Sequence, residues 1–219
     1  MSLSTILSLP DIPDYHANDA PYGTHRLIAE QIGVGKRVLD VGCNKGFLKT
    51  LAPENIFYGI DYSPRDLAAA TAAGYTAVFP IDINHYEAFV CDTTFDVMVF
   101  ADVLEHLLYP QKVLDFFVSR YLSDNGVVII SLPNVAHISI RWNFLCGNFF
   151  YTDSGILDRT HLHLYTLASA RQFITDTGLD ITRELFSSNR FGKLLKYVPQ
   201  LGPLGGYNLI FVCQKKKLS

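Results

Sequence analysis

The chain has no apolar run approaching the roughly 20 residues that a bilayer-crossing helix needs, and no pair of cysteines at C-x-x-C spacing. The first lack excludes a helical membrane span. Cys43, Cys91, Cys146 and Cys213 stand far apart, so neither a disulfide framework nor a structural zinc site is indicated. Basic excess is missing too: 18 Lys and Arg against 21 Asp and Glu give a formal charge of −3, which leaves no field to hold a polyanion. Nucleic acid is therefore not an expected partner, and Lys215-Lys216-Lys217, the only basic run, reads as a solvated tail. The first ten residues carry no basic n-region before Asp11, Pro13 and Asp14, which argues against a secretory signal and for a cytoplasmic protein. What the chain does have is 49% hydrophobic residues over a length of 219, enough to bury one sizeable core. The expected organisation is a single domain, 1–219, with an N-terminal extension over 1–20.

The most informative stretch is Arg37-Val38-Leu39-Asp40-Val41-Gly42-Cys43-Asn44-Lys45-Gly46-Phe47-Leu48, an apolar run that ends in an acid and two glycines. It reads as a strand, a tight ligand-cradling turn and a helix start. Gly42 and Gly46 permit dihedrals and close approaches that a Cβ forbids, which suggests a ligand packed against main chain. A dinucleotide fold requires G-x-G-x-x-G, whereas here the spacing is Gly42-x-x-x-Gly46 with Asn44 between. Asp40 inside the turn would repel a pyrophosphate and suits a cationic ligand. At this point the chain resembles the class I S-adenosylmethionine-dependent methyltransferases, whose first motif runs (V/I)LD(V/I)GCGxG beside the methionine end of the cofactor. The resemblance implies cofactor contacts from Asp40, Gly42, Cys43, Asn44 and Gly46.

Along the chain, helical and strand signals alternate in the manner of a parallel α/β sheet. Thr24 reads as the cap of a helix over His25 to Ile32, ended by Gly33. Strands are expected at Arg37 to Val41, Ile56 to Asp61, Thr76 to Phe79, Phe95 to Ala101 and Val127 to Leu132. Ser63-Pro64-Arg65-Asp66 supplies a helix cap, a proline at the first position and an acid at the third. A helical stripe covers Gln111 to Leu122, and Ser123-Asp124-Asn125-Gly126 reads as a turn. A helix from Thr166 to Thr177, a strand from Ile181 to Phe186 and a last strand from Tyr207 to Gln214 complete the chain, the closing pair being antiparallel. The expected fold is α/β, Rossmann-like, a seven-stranded and mostly parallel sheet with an antiparallel last strand and helices on both faces.

Open α/β sheets bind ligands at the carboxyl ends of their strands. Asp61 and Tyr62 follow the second strand, where an acid accepts ribose hydroxyls and a ring lies against adenine; an NAD fold also places an acid there. After the third strand, Asp82 resembles the family acid that accepts from the adenine amino group, with Ile83 offering a backbone N–H. After the fourth, Ala101-Asp102-Val103-Leu104-Glu105-His106-Leu107 resembles the D-V-L-E-H-(L/V) segment of a methyltransferase subgroup that includes quinone-biosynthesis and natural-product O-methyltransferases. There Ala101, Asp102 and Val103 lie near the methionine part, and Glu105-His106 opens the following helix toward the site. S-adenosylmethionine is the implied cofactor and S-adenosylhomocysteine its product.

Pro133 to Tyr165 is too long for an ordinary connection and too aromatic for disorder, so it is expected to be an inserted substrate lid. Its segments Pro133-Asn134-Val135-Ala136-His137 and Gly155-Ile156-Leu157-Asp158-Arg159-Thr160-His161-Leu162-His163-Leu164-Tyr165-Thr166 resemble a bacterial branch often encoded with surface-polysaccharide glycosyltransferases. This implies a small-molecule or glycan acceptor, most naturally a sugar hydroxyl. His161 and His163 could look like metal ligands, but no third and fourth ligand stand at suitable spacing, so no metal is expected. A neutral imidazole that takes the acceptor's proton would accelerate transfer by roughly 10²–10⁴-fold, and His161 is the first choice, with His106 and His137 as rivals. An N- or C-methyltransferase acting on a quinone-like ring or another metabolite, a dinucleotide protein and a non-catalytic binding module are the other readings.

Overall fold

The computed structural model describes residues 20–188 and 192–216. The expected N-terminal extension, Ala20 apart, and the last lysine of the basic run lie outside them. Strands β1 (Arg37–Val41), β2 (Ile56–Asp61), β3 (Ala77–Pro80), β4 (Phe95–Ala101) and β5 (Leu122–Pro133) pair in parallel. β7 (Asn208–Lys215) runs antiparallel to both β5 and β6 (Leu179–Phe186), giving a seven-stranded sheet in the order β3-β2-β1-β4-β5-β7-β6. The fold class expected from the sequence is the one present. Among the described residues no helix is long and apolar enough to cross a membrane.

The period of two along each strand divides the core into layers. Val38, Phe57, Val97, Val99 and Ile129 pack with α1 (Thr24–Ile32) and α3 (Pro64–Ala72), while Leu39, Val41, Met98, Phe100 and Ile130 pack with α4 (Pro110–Tyr121) and α6 (Leu167–Asp176). Because both faces are covered, the central strands are apolar almost without a break. The helix starts follow local chemistry: the Ser63 hydroxyl accepts from Asp66 N–H at 3.3 Å. Thr166 and Ser169 form a reciprocal capping box at the start of α6.

Three local expectations are corrected. Thr24 is the first residue of α1, Gly23 being the cap, and its hydroxyl instead donates to Ser187 Oγ at 3.1 Å. Ser123 to Gly126 belong to β5, where Leu122 pairs with Phe95 and Val127 with Val97, so four residues bulge out opposite Asp96. Glu105 and His106 lie in a separate 3₁₀ turn, Leu104–His106, and α4 begins only at Pro110.

The long segment after β5 is pinned at its base. Asn134, wholly buried, donates from Nδ2 to the carbonyls of Pro203 and Gly206 and accepts Ala136 N–H, while Val135 N–H bonds Tyr165 O at 2.9 Å. Beyond this pin, α5 (Ile138–Leu145) has no buried residue, and Trp142, Phe144, Phe150 and Tyr151 are exposed. The Pro-Asn signature of the sequence thus anchors the base of an exposed aromatic segment, the flap.

Candidate functional site

The turn after β1 is held by three residues of positive φ: Gly42 at 76°, Asn44 at 47° and Gly46 at 77°. Asparagine tolerates the left-handed region better than most side chains, which explains why it can stand where the family pattern has glycine. Its Oδ1 also accepts Lys45 N–H at 2.8 Å. Every backbone donor of the turn is engaged inside the protein. Gly42 and Cys43 N–H both bond Ile60 O, Asn44 N–H bonds Asp61 Oδ2, and Gly46 N–H bonds Cys43 O. A pyrophosphate needs free N–H groups converging on it, and Gly42 to Gly46 offer none. The turn therefore does not fit a dinucleotide.

The glycines also have protein neighbours that the sequence did not reveal. A Cβ on Gly42 would run into Val103, and one on Gly46 would lie 2.9 Å from Ala70 Cα and 2.8 Å from the Tyr75 ring. The Cys43 side chain is buried and packed against Gly59.

Asp40 is 3% exposed and accepts the Tyr75 hydroxyl at 2.6 Å. Burial pushes its carboxyl up to about 7, against the Tyr75 bond, with the nearby Asp61 charge adding to the rise. Between the unfolded value near 4 and the folded value near 7, the native state holds a proton that the unfolded chain has released, so stability falls as pH rises through that window. Asp40→Asn removes this titration. The wild type is expected to lose up to about 4 kcal/mol relative to the Asn variant between pH 4 and pH 7, with no further divergence above. Urea unfolding across that range measures it, and parallel curves for the two proteins would show that Asp40 is not titrating there.

The other strand ends adjoin this turn. Asp61 accepts Asn44 N–H on Oδ2 and Ser63 N–H on Oδ1, both at 2.9 Å, which fixes the carboxylate and leaves each oxygen a lone pair for a vicinal diol. Tyr62 stands exposed beside it. Asp82 caps the 3₁₀ segment Ile83–Ala88 through Asn84 N–H, with Ile83 buried beneath, and Asn84 Oδ1 accepts Leu108 N–H, which ties this loop to the one after β4. Ala101 ends β4, Asp102 takes φ 54°, and Val103 fills the space against Gly42. One oxygen of Asp102 receives both Ser131 Oγ and Asn208 Nδ2 at 2.6 Å. An acid-rich rim with anchored carboxylates and spent backbone donors suits a cationic nucleoside; it does not suit an anion.

Of the three candidate bases, His106 and His161 come together, their ring centroids 4.8 Å apart at 68°. His137 does not join them: its Nδ1 caps α5 by accepting Ser139 N–H, and its ring meets Tyr207. The hydrogen-bond chain fixes the tautomers of the pair. Thr160 Oγ1 donates to Asp158 Oδ1 at 2.7 Å and can only accept from His106 Nδ1, 3.0 Å away. His161 Nδ1 lies 3.0 Å from Ile156 O, which likewise can only accept. Both Nδ1 atoms therefore carry hydrogen, and in the neutral rings the lone pairs are on Nε2. Burial, reinforced by His161, lowers the His106 value below that of a free imidazole.

Of two further neighbours, Glu105 was legible in the sequence only as part of its motif, and His25 was missed. Glu105 is 0% exposed with no partner on either oxygen, and burial raises it well above the usual carboxylate range. His25, from α1, feels the charge of Asp102 although 77 positions separate them in the chain (102 − 25). No motif links such distant residues, and only the doubly wound topology brings them to one rim.

The model of a methyltransferase domain family matches residues 17–184. No curated protein sequence matches the chain. Among solved structures, the small RNA methyltransferase HEN1 is similar at a TM-score of 0.64 and 16% identity, over 89% of this chain and 25% of that one. The chain thus spans only a quarter of HEN1. The N-methyltransferase NodS of Bradyrhizobium japonicum WM9, in complex with S-adenosylhomocysteine, is similar at 0.57 and 17%, over 88% and 86% of the two chains. Magnesium protoporphyrin IX methyltransferase of Synechocystis PCC 6803, with bound S-adenosylmethionine, gives 0.54 and 17% over 87% and 74%. At such identities these likenesses speak for the fold, and the acceptors in their names differ widely. The chain belongs to the methyltransferase domain family whose model covers most of its length, and its fold and cofactor are those of a class I S-adenosylmethionine-dependent methyltransferase.

Proposed function

We propose that this protein methylates a hydroxyl of a small molecule or glycan, with Asp61, Tyr62, Asp82 and Ile83 holding the nucleoside and Asp40, Gly42, Cys43, Asn44, Gly46, Ala101, Asp102, Val103 and His106 around the methionine end. The observation that carries it is the pair of imidazoles, His106 from the turn after β4 and His161 from the segment after β5, whose neutral rings have lone pairs on Nε2. A neutral amine attacks a methyl group with its own lone pair, whereas an alcohol must lose a proton as it reacts, so proton-accepting nitrogens at this position favour oxygen. The exposed aromatic flap supports a sugar, whose C–H faces bury well against flat rings.

S-adenosylmethionine, when bound, supplies an electrophilic methyl on a sulfonium that departs as a neutral thioether. The protein's own part is mostly placement. A hydroxyl held in line in a site closed by the flap gains on the order of 7–11 kcal/mol from orientation, more than a base contributes. His161 or His106 takes the hydroxyl proton on Nε2, while Asp158 and Thr160 hold the rings in position.

The test uses methyl-labelled S-adenosylmethionine with matched panels of hydroxyl and amine acceptors. Labelling of sugar or other hydroxyls, with stabilisation by S-adenosylhomocysteine and none by NAD, is the expected result. Labelling of amines alone sinks the hydroxyl assignment, and failure of S-adenosylhomocysteine to stabilise the protein sinks the cofactor site.

A further inference from the structure

Glu105 poses a physical problem that methyl transfer does not solve. Its side chain is completely enclosed, yet neither carboxylate oxygen has a hydrogen-bond partner. An orphaned buried carboxyl has given up its hydration for nothing, so such groups in folded proteins normally face an ion or an ordered water. Two imidazoles stand beside it. One ligand atom each from Glu105, His106 and His161 can be chosen so that all three lie within 4.8 Å of one another. Around a four-coordinate ion with bonds of about 2.0–2.1 Å the donors would sit roughly 3.3 Å apart, so binding would draw the three side chains together.

The surrounding bonds are those that metal-bound histidines require. Each Nδ1–H is committed to an oxygen, His106 to Thr160 and His161 to Ile156, which leaves Nε2 as the donor. Asp158 then holds Thr160 through two bonds of 2.8 and 2.7 Å, completing a carboxylate–hydroxyl–imidazole chain behind His106. The main chain is arranged around the same point: Leu162 N–H and His163 N–H both bond Glu105 O.

We infer that Glu105, His106 and His161 bind one divalent first-row transition ion, which fastens the aromatic flap to the 3₁₀ turn after β4. Two neutral imidazoles and one carboxylate match zinc, cobalt, iron or manganese, and suit magnesium poorly because it prefers oxygen donors. Three protein ligands leave at least one position open. His161 belongs to the flap and the other two ligands to the sheet side, so the ion closes one against the other. Ion binding stands on this geometry alone; its use in activating an acceptor rests on the methyl-transfer reading above. With an ion bound the Nε2 lone pairs are ligands, so the ion would take over from the imidazoles the activation of the acceptor hydroxyl: it would acidify an oxygen at the open position, whose proton leaves to bulk water.

The experiment uses the full chain, free of any affinity tag and stripped with a chelator. Zinc is titrated by competition calorimetry, cobalt by visible absorption, and S-adenosylhomocysteine in parallel. Binding of one ion per chain is expected, with His161→Ala and Glu105→Gln each weakening zinc at least about 100-fold. Zinc should also slow tryptic cleavage at Arg141 and Arg159 in the wild type and not in His161→Ala. No stoichiometric ion, or unchanged affinity in the variants, overturns the site. Should Glu105→Gln fail to fold, His161→Ala decides, since that ring is only partly buried. A chain that binds S-adenosylhomocysteine and no ion refutes the metal while the cofactor reading stands, and the converse result separates them the other way.

Discussion

Asp61→Ala is expected to weaken S-adenosylhomocysteine binding by about 100-fold or more, to the point where calorimetry detects no heat. Two losses combine. The carboxylate that would accept both ribose hydroxyls disappears, and hydrogen bonds to a charged group contribute about 1.5–3 kcal/mol each. Asp61 also anchors Asn44 N–H and Ser63 N–H, so the turn after β1 and the start of α3 both lose their shared acceptor. Asn44 is at positive φ, and without that bond the turn has less to hold it there. Asp61→Asn keeps one acceptor oxygen and turns an amide NH₂ toward the other backbone donor, so it should fall between. If alanine leaves the affinity unchanged, Asp61 is not a ligand-binding residue, whatever its part in the turn.

Gly46→Ala is expected to cost about 2–5 kcal/mol of folding stability. Left-handed backbone costs an L-residue about 1–2 kcal/mol, and overpacking a close-packed contact adds about 1–3 kcal/mol. The obstacle is main chain: Ala70 Cα, 2.9 Å from the would-be methyl, belongs to α3 and cannot rotate aside. Gly178 is the internal comparison, since its φ is 72° but a Cβ there would meet nothing within 4 Å. Gly178→Ala should therefore lose only the backbone part. Urea midpoints at constant slope measure both, and equal losses would show that packing against α3 plays no part.

Much of this architecture was legible because it is written in local chemistry. The Ser63 cap, the helix that starts at Thr166 and the β-branched run of β5 depend on residues a few positions apart, and each appears where the sequence puts it, Thr166 itself proving to be the cap. The misplacements have the same kind of cause. Thr24 looks like a cap in isolation, but its hydroxyl serves a partner 163 residues away. Ser123 to Gly126 carry turn chemistry and still remain in the strand as a bulge, because the flanking residues Leu122 and Val127 keep their pairing with β4. Asn44, the one departure from the family's glycine pattern, proves to conserve the backbone shape that the glycine would give.

By itself the sequence determined the order of the strands in the chain, the acids at their carboxyl ends, and the family, since motifs of a few adjacent residues carry that information. Only the tertiary structure decided what those residues can do. It turned the backbone donors of the first turn inward, which removed the pyrophosphate site, and it separated His137 from His106 and His161. It also placed the unpartnered Glu105 carboxyl against two imidazoles, one of them 56 positions further along the chain (161 − 105). Such convergence depends on how a flap folds back over a sheet, and periodicity and spacing hold no record of that.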